Sequence, residues 1–439
     1  MSCGECFNTS LNGGIASRSL AFLNNKSNEE NILKRKFWAM VSRLGLILLG
    51  ILVGLIALEL VFRILYPDPA PKLLNQGLQH HPTHGIAFIP NVEGWNTSLR
   101  GEYSAYIKIN SQGLRGQAYP YHKDNDTFRI LVLGDSFTAA LQVAEEKTFV
   151  KLLEHRLQQQ YPTTNFEVIN AGVVGYGTGN ALSYFMHEGY KYQSDLVLLA
   201  FFTGNDISDN VNPPHYKLAN GQLTPIKATY RADFMVPPWA VEGTLFRKIR
   251  NFLYTHSRLY SVTIELLTFS AVQKIPALTN LLISLGFVEA TRPAMNAGNI
   301  YSFLNPSEEA WQMTEAIILR LKQEVEGHGS QLVVVILPDE TEVDQQKWAT
   351  IFAAYPDLKQ KKALVNFQPT ERLSQFLQQM DSLYLPLLPA LQAYQATTNE
   401  PLYYKYDGHW RPAGHRVAAE AIYNYLIQNQ AKVKNFPGN

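Results

Sequence analysis

Three short strand-like runs constrain the fold most: FRILVLGD at 128–135, FEVIN at 166–170 and DLVLLAFF at 195–202. Largely apolar runs of this length, without sustained polar alternation, belong to strands buried on both faces. Between the first two, the stretch from Glu145 to Gln159 sets Phe149, Leu152, Leu153 and Leu157 at helical spacing, and a further helix is expected near 179–189. Ser307 opens a strong helix to about Val325, which leads into a fourth strand, QLVVVILP at 331–338. Strands alternating with helices predict an α/β fold whose parallel sheet is covered on both faces. A hydrophobic content of 46% is enough for such a core. The net charge of +1 gives no electrostatic case for a nucleic-acid partner.

Ahead of this pattern, LGLILLGILVGLIALELVF at 44–62 matches the ~20 apolar residues that span a bilayer. Its one acid, Glu59, stands four residues before Arg63, as an interfacial i,i+4 pair or as a buried functional carboxylate. The preceding tail is too long for a cleaved signal peptide and no A-x-A pattern follows the span. Lys34, Arg35, Lys36 and Arg43 precede the span while only Arg63 and Lys72 follow closely, which keeps the N-terminus cytoplasmic. The expected organisation is a disordered cytoplasmic tail over 1–36, a transmembrane signal anchor over 37–66, and everything beyond it extracytoplasmic, periplasmic in a Gram-negative-type envelope.

Residues 67–125 are expected to be a linker and β-containing lead-in: Pro67, Pro69 and Pro71 stiffen its start, and YSAYIKIN before the turn SQGLRG reads as strand. Within it HHPTHG brings His80, His81 and His84 together, either as metal ligands or as a loop packed by its own histidines. Cys3 and Cys6 form a lone C-x-x-C without the second half of a four-ligand zinc site. No cofactor is expected. Between Asp206 and the Ser307 helix, residues 207–301 exceed an ordinary connection, and LFRKIRNFLYTHSRLYSVTIELLTF and ALTNLLISLGF read as a helical insertion, either a lid or a packing insert. Phe234, Trp239, Tyr254 and Tyr260 within it are candidates for stacking on sugars or lining an acyl pocket, with core packing as the alternative. A helix near 370–379 and a C-terminal helix opened by Pro412 complete a main domain over 126–430, with 431–439 as a tail.

Four polar or glycine-rich stretches fall where ligands bind in parallel sheets, beyond the carboxyl ends of the strands: GDS at 134–136, NAGVVGYGT at 170–178, GND at 204–206 and DGH at 407–409. A serine hydroxyl needs a histidine to accept its proton, and that imidazole needs a carboxylate to fix its tautomer. Ser136, His409 and Asp407 supply these groups. The backbone N–H groups of Ser136 and Gly175 and the Asn205 side-chain amide are the candidate donors to the anion on an attacked carbonyl. The competing reading of Ser136 is a helix N-cap. Asp135 is expected to organise the loop, Asp206 to belong to a turn, and His415 to be structural.

Together and in this order, the four blocks resemble those of the SGNH (GDSL-type) hydrolase superfamily, over roughly 126–430 apart from the insertion. The resemblance implies a three-layer α/β/α, flavodoxin-like fold and ester chemistry with Ser136 as nucleophile, Gly175 and Asn205 as oxyanion donors, and His409 assisted by Asp407. Many members carry Asp-x-x-His where this chain has Asp407-x-His409; the DGHW form resembles relatives associated with exopolysaccharide O-acetylation, such as the alginate acetylation proteins. The leading expectation is a membrane-anchored serine esterase acting on carboxylic esters, acetyl or short acyl, borne by an envelope polysaccharide or lipid. An O-acyltransferase uses the same residues, because the pocket and not the triad chooses the acceptor. A phospholipase and a catalytically silent carbohydrate-binding or scaffolding protein are the other readings.

Overall fold

A computed structural model describes residues 13–65, 77–98, 101–212, 214–226, 245, 249, 252–253, 256–264, 305–354 and 368–438. The chain divides into two compact units, Met1–Asp68 and Pro69–Asn439. In the first, helix α1 runs Gly13–Leu65. Its Leu33–Leu65 part is long and apolar enough to cross a membrane. Arg63 Nε donates to Glu59 Oε1 at 2.8 Å, so the acid of the span is paired one turn away. The tail expected over 1–36 is helical from Gly13 onward, where Ala, Leu, Arg and Glu favour the helix. Cys3 and Cys6 lie outside the described residues, as do Pro67, Pro69 and Pro71.

The second unit opens with two antiparallel hairpins, β1 (Leu78–His81) with β2 (Gly85–Phe88), and β3 (Glu93–Thr97) with β4 (Ser104–Lys108). This lead-in packs into the domain: Ile86, Phe88, Ile107, Ile109 and Leu114 all join the main core. Then follow β5 (Thr127–Gly134), α2 (Ser136–Ala139), α3 (Phe149–Gln160), β6 (Asn165–Gly172), α4 (Thr178–His187), β7 (Leu196–Phe202) and α5 (Asp206–Asp209). A third hairpin, β8 (Tyr216–Ala219) with β9 (Gln222–Pro225), precedes α6 (Glu308–Gly327), β10 (Gln331–Leu337), α7 (Glu340–Val343), α8 (Gln346–Ala354), α9 (Pro369–Gln379), β11 (Leu383–Pro386), α10 (Leu388–Thr397) and α11 (Pro412–Gln428).

Strands β6, β5, β7, β10 and β11 lie in that order in one wholly parallel sheet. In chain order this is 2-1-3-4-5, the flavodoxin-like arrangement. Successive side chains point to opposite faces, and the core follows that alternation. Leu131, Leu133, Val197, Leu199, Val334 and Ile336 pack with α4, α6 and α9 on one face. Ile130, Val132, Leu198, Ala200, Val333 and Val335 pack with α3, α10 and α11 on the other. Helices on both faces bury most of the strand residues, which is why the central strands are largely apolar. The domain is a three-layer α/β/α, flavodoxin-like fold.

Two expectations need correction. The insertion is not wholly helical: after α5, Asn220 and Gly221 both take positive φ, 51° and 74°, and close the β8–β9 hairpin as a two-residue turn. Of the rest of 207–301, the described pieces at 252–253 and 258–264 are helical and Tyr260 is half-buried, while Phe234, Trp239 and Tyr254 lie outside the described residues. Residues 431–439 do not form a free tail. Val433 and Phe436 are buried, and the Phe436 ring lies 5.3 Å from that of Phe128, edge to face. The stretch SLYLPLLPAL at 382–391 supplies a fifth strand at the sheet edge and the start of α10.

Candidate active site

The sheet order places its topological switch point between β5 and β7, whose following segments leave in opposite directions. Ser136 follows β5, and Asn205 follows β7. The sharp exit from β5 requires residues without side chains: a Cβ on Gly134 would meet Thr138 Oγ1 at 2.2 Å, and one on Gly172 would meet the Ala139 nitrogen at 2.5 Å. Helix α2 therefore seats directly against the ends of β5 and β6.

The N-cap of α2 is Asp135, whose Oδ1 accepts from the Phe137 N–H at 2.8 Å. Ser136 is the first residue inside the helix, so its hydroxyl is not spent on capping. That hydroxyl lies 2.8 Å from His409 Nε2. His409 Nδ1 lies 2.7 Å from Asp407 Oδ1. With a carboxylate accepting at Nδ1, the neutral ring carries its proton there and leaves Nε2 to accept from the serine hydroxyl. Burial pushes the Asp407 carboxyl up, but its bonds to His409 and Tyr103 and the His409 charge outweigh this, and it sits below the usual carboxylate range. Asp407 is thus ionised, as a partner of an imidazolium must be.

Phe137 supports the imidazole, with ring centres 4.9 Å apart, and Trp410 meets Phe137 edge to face at 5.3 Å. His415 is buried, Phe149 N–H approaches its Nδ1 at 3.4 Å, and burial, then Arg115 and His409, lower its pKa to about 3. It is a neutral packing residue.

Asn205 Nδ2 donates to Asp209 Oδ2 at 2.7 Å across one turn of α5, which fixes the amide plane and leaves its second N–H to point elsewhere. Gly175 stands in the turn after β6 at φ 82°, in space open around its Cα. Asp206 Oδ2 accepts from the Phe202 N–H at 3.1 Å, as a turn residue would. It is nevertheless fully buried, and desolvation together with neighbouring Asp135 holds its carboxyl well above the usual range. Burial pushes Asp135 itself up from 3.8 to about 6, against its bond from Phe137 and the His409 charge.

Residues of the lead-in reach this site, and sequence reasoning missed them. Arg115 is buried and donates from Nη1 to the Ala139 oxygen at 2.6 Å and to the Ala140 oxygen, and from Nη2 to the Val143 oxygen at 2.5 Å. Ala140 takes the left-handed conformation, φ 52°, unusual for a residue with a side chain, at the C-cap of α2. Burial lowers the Arg115 pKa to about 10, with Glu145 and Glu146 opposing, so it remains a cation. Tyr103 Oη donates to Asp407 Oδ2 at 3.0 Å. Arginine in SQGLRG and tyrosine in YSAYIKIN carry no local signal of these contacts, because the partners lie 24 to 304 residues away.

The histidines of HHPTHG stack on one another. His81 and His84 are 3.6 Å apart at 13°, Thr83 Oγ1 lies 3.1 Å from the Nδ1 of each, and burial lowers the His84 pKa to about 3, helped by His81. Among the described residues no group of three or more His, Cys, Asp or Glu is arranged to hold a metal ion.

Residues 301–438 match the family model of an SGNH hydrolase-like domain, that of the acetyltransferase AlgX. The match includes Asp407 and His409, whereas Ser136, Gly175 and Asn205 precede it. Curated proteins give no match to the chain. Among solved structures, a catalytic mutant of Axe2, an acetylxylan esterase from Geobacillus stearothermophilus, is similar at 13% identity, over 68% of this chain and 94% of that one, with a TM-score of 0.35. LAE5, an alpha/beta hydrolase from the metagenome of Lake Arreo, Spain, is similar at 12% identity, over 70% and 96%, with a TM-score of 0.32. Likenesses at such scores carry no argument; the fold rests on the strand order and the two core layers.

Proposed function

We propose that the chain is an SGNH-type member resembling AlgX and a serine-dependent acyl-ester enzyme, an esterase working through an acyl-enzyme on Ser136. The observation that carries this reading is the unbroken chain of contacts from Ser136 through His409 to Asp407, at 2.8 and 2.7 Å. The Ser136 oxygen attacks the acyl carbonyl as His409 Nε2 takes the hydroxyl proton, and Asp407 stabilises the imidazolium. The Ser136 and Gly175 N–H groups and the Asn205 amide bind the oxyanion. Collapse breaks the ester C–O bond, and the His409 proton leaves with the alcohol. A second oxygen nucleophile, deprotonated by His409, then attacks the acyl-enzyme and frees Ser136.

If that nucleophile is water the enzyme is a hydrolase, and if it is a carbohydrate hydroxyl the enzyme is an O-acetyltransferase. The match of 301–438 to the AlgX acetyltransferase domain favours an acetyl group and keeps the transfer reading beside hydrolysis. The apolar helix Leu33–Leu65 supports a single-pass anchor, and the basic residues Lys34, Arg35, Lys36 and Arg43 before the apolar run favour a cytoplasmic N-terminus and an extracytoplasmic catalytic domain, with a polysaccharide or lipid ester as the proposed substrate.

The test is fluorophosphonate labelling of the full-length chain in detergent, with peptide mapping and Ser136→Ala beside wild type. Labelling at Ser136 that the variant loses is expected; a folded wild-type chain without labelling would favour a silent binding protein. Turnover of p-nitrophenyl acetate with and without an added oligosaccharide then separates the acceptors: acetate alone marks a hydrolase, and a new sugar ester marks a transferase.

A further inference from the structure

The catalytic acid candidate stands on an exposed loop, yet that loop is gripped from one side by a single turn of the lead-in. Glu102 and Tyr103 lie between β3 and β4, some 300 residues before Asp407 in the chain. The two Glu102 carboxylate oxygens accept from consecutive backbone N–H groups, Tyr406 to Oε1 at 3.1 Å and Asp407 to Oε2 at 3.1 Å. Tyr103 donates to Asp407 Oδ2 at 3.0 Å, while Oδ1 of the same carboxylate faces His409. The Tyr103 ring packs on Tyr404, with centres 5.3 Å apart, and Tyr404 is tied across the loop by its N–H to the His409 oxygen at 2.8 Å. Tyr103 thus holds one carboxylate oxygen, the His409 backbone N–H (3.3 Å) and ring hold the other, and Glu102 holds the backbone that carries them.

We propose that Glu102 and Tyr103 are positioning residues for the reaction, a clamp in which one grips the backbone of the acid loop and the other fixes the rotation of the Asp407 carboxylate. The proposal rests on the triad reading above. A carboxylate serves a histidine through one oxygen only when it is oriented, and a carboxylate on an unsupported Asp-x-His loop has free rotation about Cβ–Cγ to lose. Charge-assisted bonds to the second oxygen and to the loop backbone remove that freedom before substrate binds. The hairpin is accordingly part of the catalytic machinery's support and not a spacer.

The experiment uses the full-length chain in detergent, p-nitrophenyl acetate as probe, and rates expressed per serine titrated by fluorophosphonate. Tyr103→Phe keeps the ring on Tyr404 and removes only the hydroxyl. It is expected to lower kcat about tenfold with KM within about twofold, the loss typical of a hydrogen bond to a charged group. With its competing donor gone, Asp407 holds the imidazolium more strongly, so the acid limb of kcat/KM moves to higher pH. Glu102→Gln keeps one acceptor oxygen and should lose less than Glu102→Ala, which loses both. If Tyr103→Phe does not fold, the ordering of the two Glu102 variants decides alone. Wild-type kcat and an unmoved acid limb in Tyr103→Phe, or equal rates in both Glu102 variants and wild type, would overturn the clamp while an inert Ser136→Ala keeps the triad. Full turnover by Ser136→Ala would remove the triad reading and the clamp with it.

Discussion

The Arg115 guanidinium donates to the Ala139 oxygen at 2.6 Å, and so the turn that follows β4 is fastened to the helix that opens at Ser136. Arg115→Met keeps most of the volume and leaves the carbonyls of Ala139 and Val143 without their donor, while Ala140 keeps the Val143 N–H at 3.2 Å. One unsatisfied buried group costs ~1–3 kcal/mol, so a destabilisation of about 3 kcal/mol is expected for the set. Thermal unfolding with and without the substitution measures it; an unchanged midpoint would show that the carbonyls need no cation. The same variant should label more slowly at Ser136, because the left-handed turn at Ala140 loses its support.

Asp407→Asn leaves the shape of the loop but presents an amide to His409, which favours the wrong tautomer. The expected loss in kcat is on the order of 10³ to 10⁴. Ester turnover by a purified, folded variant checks this, and more than a tenth of wild-type activity would remove Asp407 from the triad.

Asn205→Ala removes a candidate oxyanion donor and should lower kcat by roughly 10² to 10³ with little change in KM. Asp209→Asn acts one step further out, through the 2.7 Å bond that fixes the Asn205 amide, and a smaller fall of about tenfold is expected. Steady-state kinetics on both variants tests the order. A larger effect from Asp209 than from Asn205 would mean that the amide is not the group that meets the anion.

Asp135 carries a pH signature of stability. Its carboxyl titrates near 3.8 in an unfolded chain and is raised to about 6 here by burial. Between those values the folded protein holds a proton that the unfolded chain has released, so stability falls as pH rises through the window. Below it the group contributes no penalty. Asp135→Asn keeps an oxygen to cap the Phe137 N–H and removes the charge beside buried Asp206. It should raise the melting temperature at pH 8 by a few degrees and leave it unchanged near pH 3.5. A gain of equal size at both pH values would refute the assignment.

The sheet was readable because burial on both faces leaves a long apolar run with little else to become: 128–135, 195–202 and 331–338 all lie in parallel strands. The edge strand at Leu383–Pro386 was not, since four residues ending in a proline resemble an apolar loop as much as a strand. The hairpin at Tyr216–Ala219 and Gln222–Pro225 has a local signal, Asn220-Gly221, although its strands are only four residues each and mostly polar. Ser136, Asp407 and His409 were legible because each sits in a short polar block with its own chemistry. Glu102, Tyr103, Arg115 and Asp209 were not, because a carboxylate or a phenol in a turn has many uses and only its partner, distant in sequence for three of the four, selects one.

Ser136 and His409 are separated by 273 residues, and their segments meet only across the completed sheet. A ribosome therefore releases the strand before Ser136 long before it releases His409. On the proposed mechanism, the growing polypeptide carries for most of its synthesis a serine no more reactive than any other hydroxyl, and esters it meets are safe from it until the loop before α11 arrives.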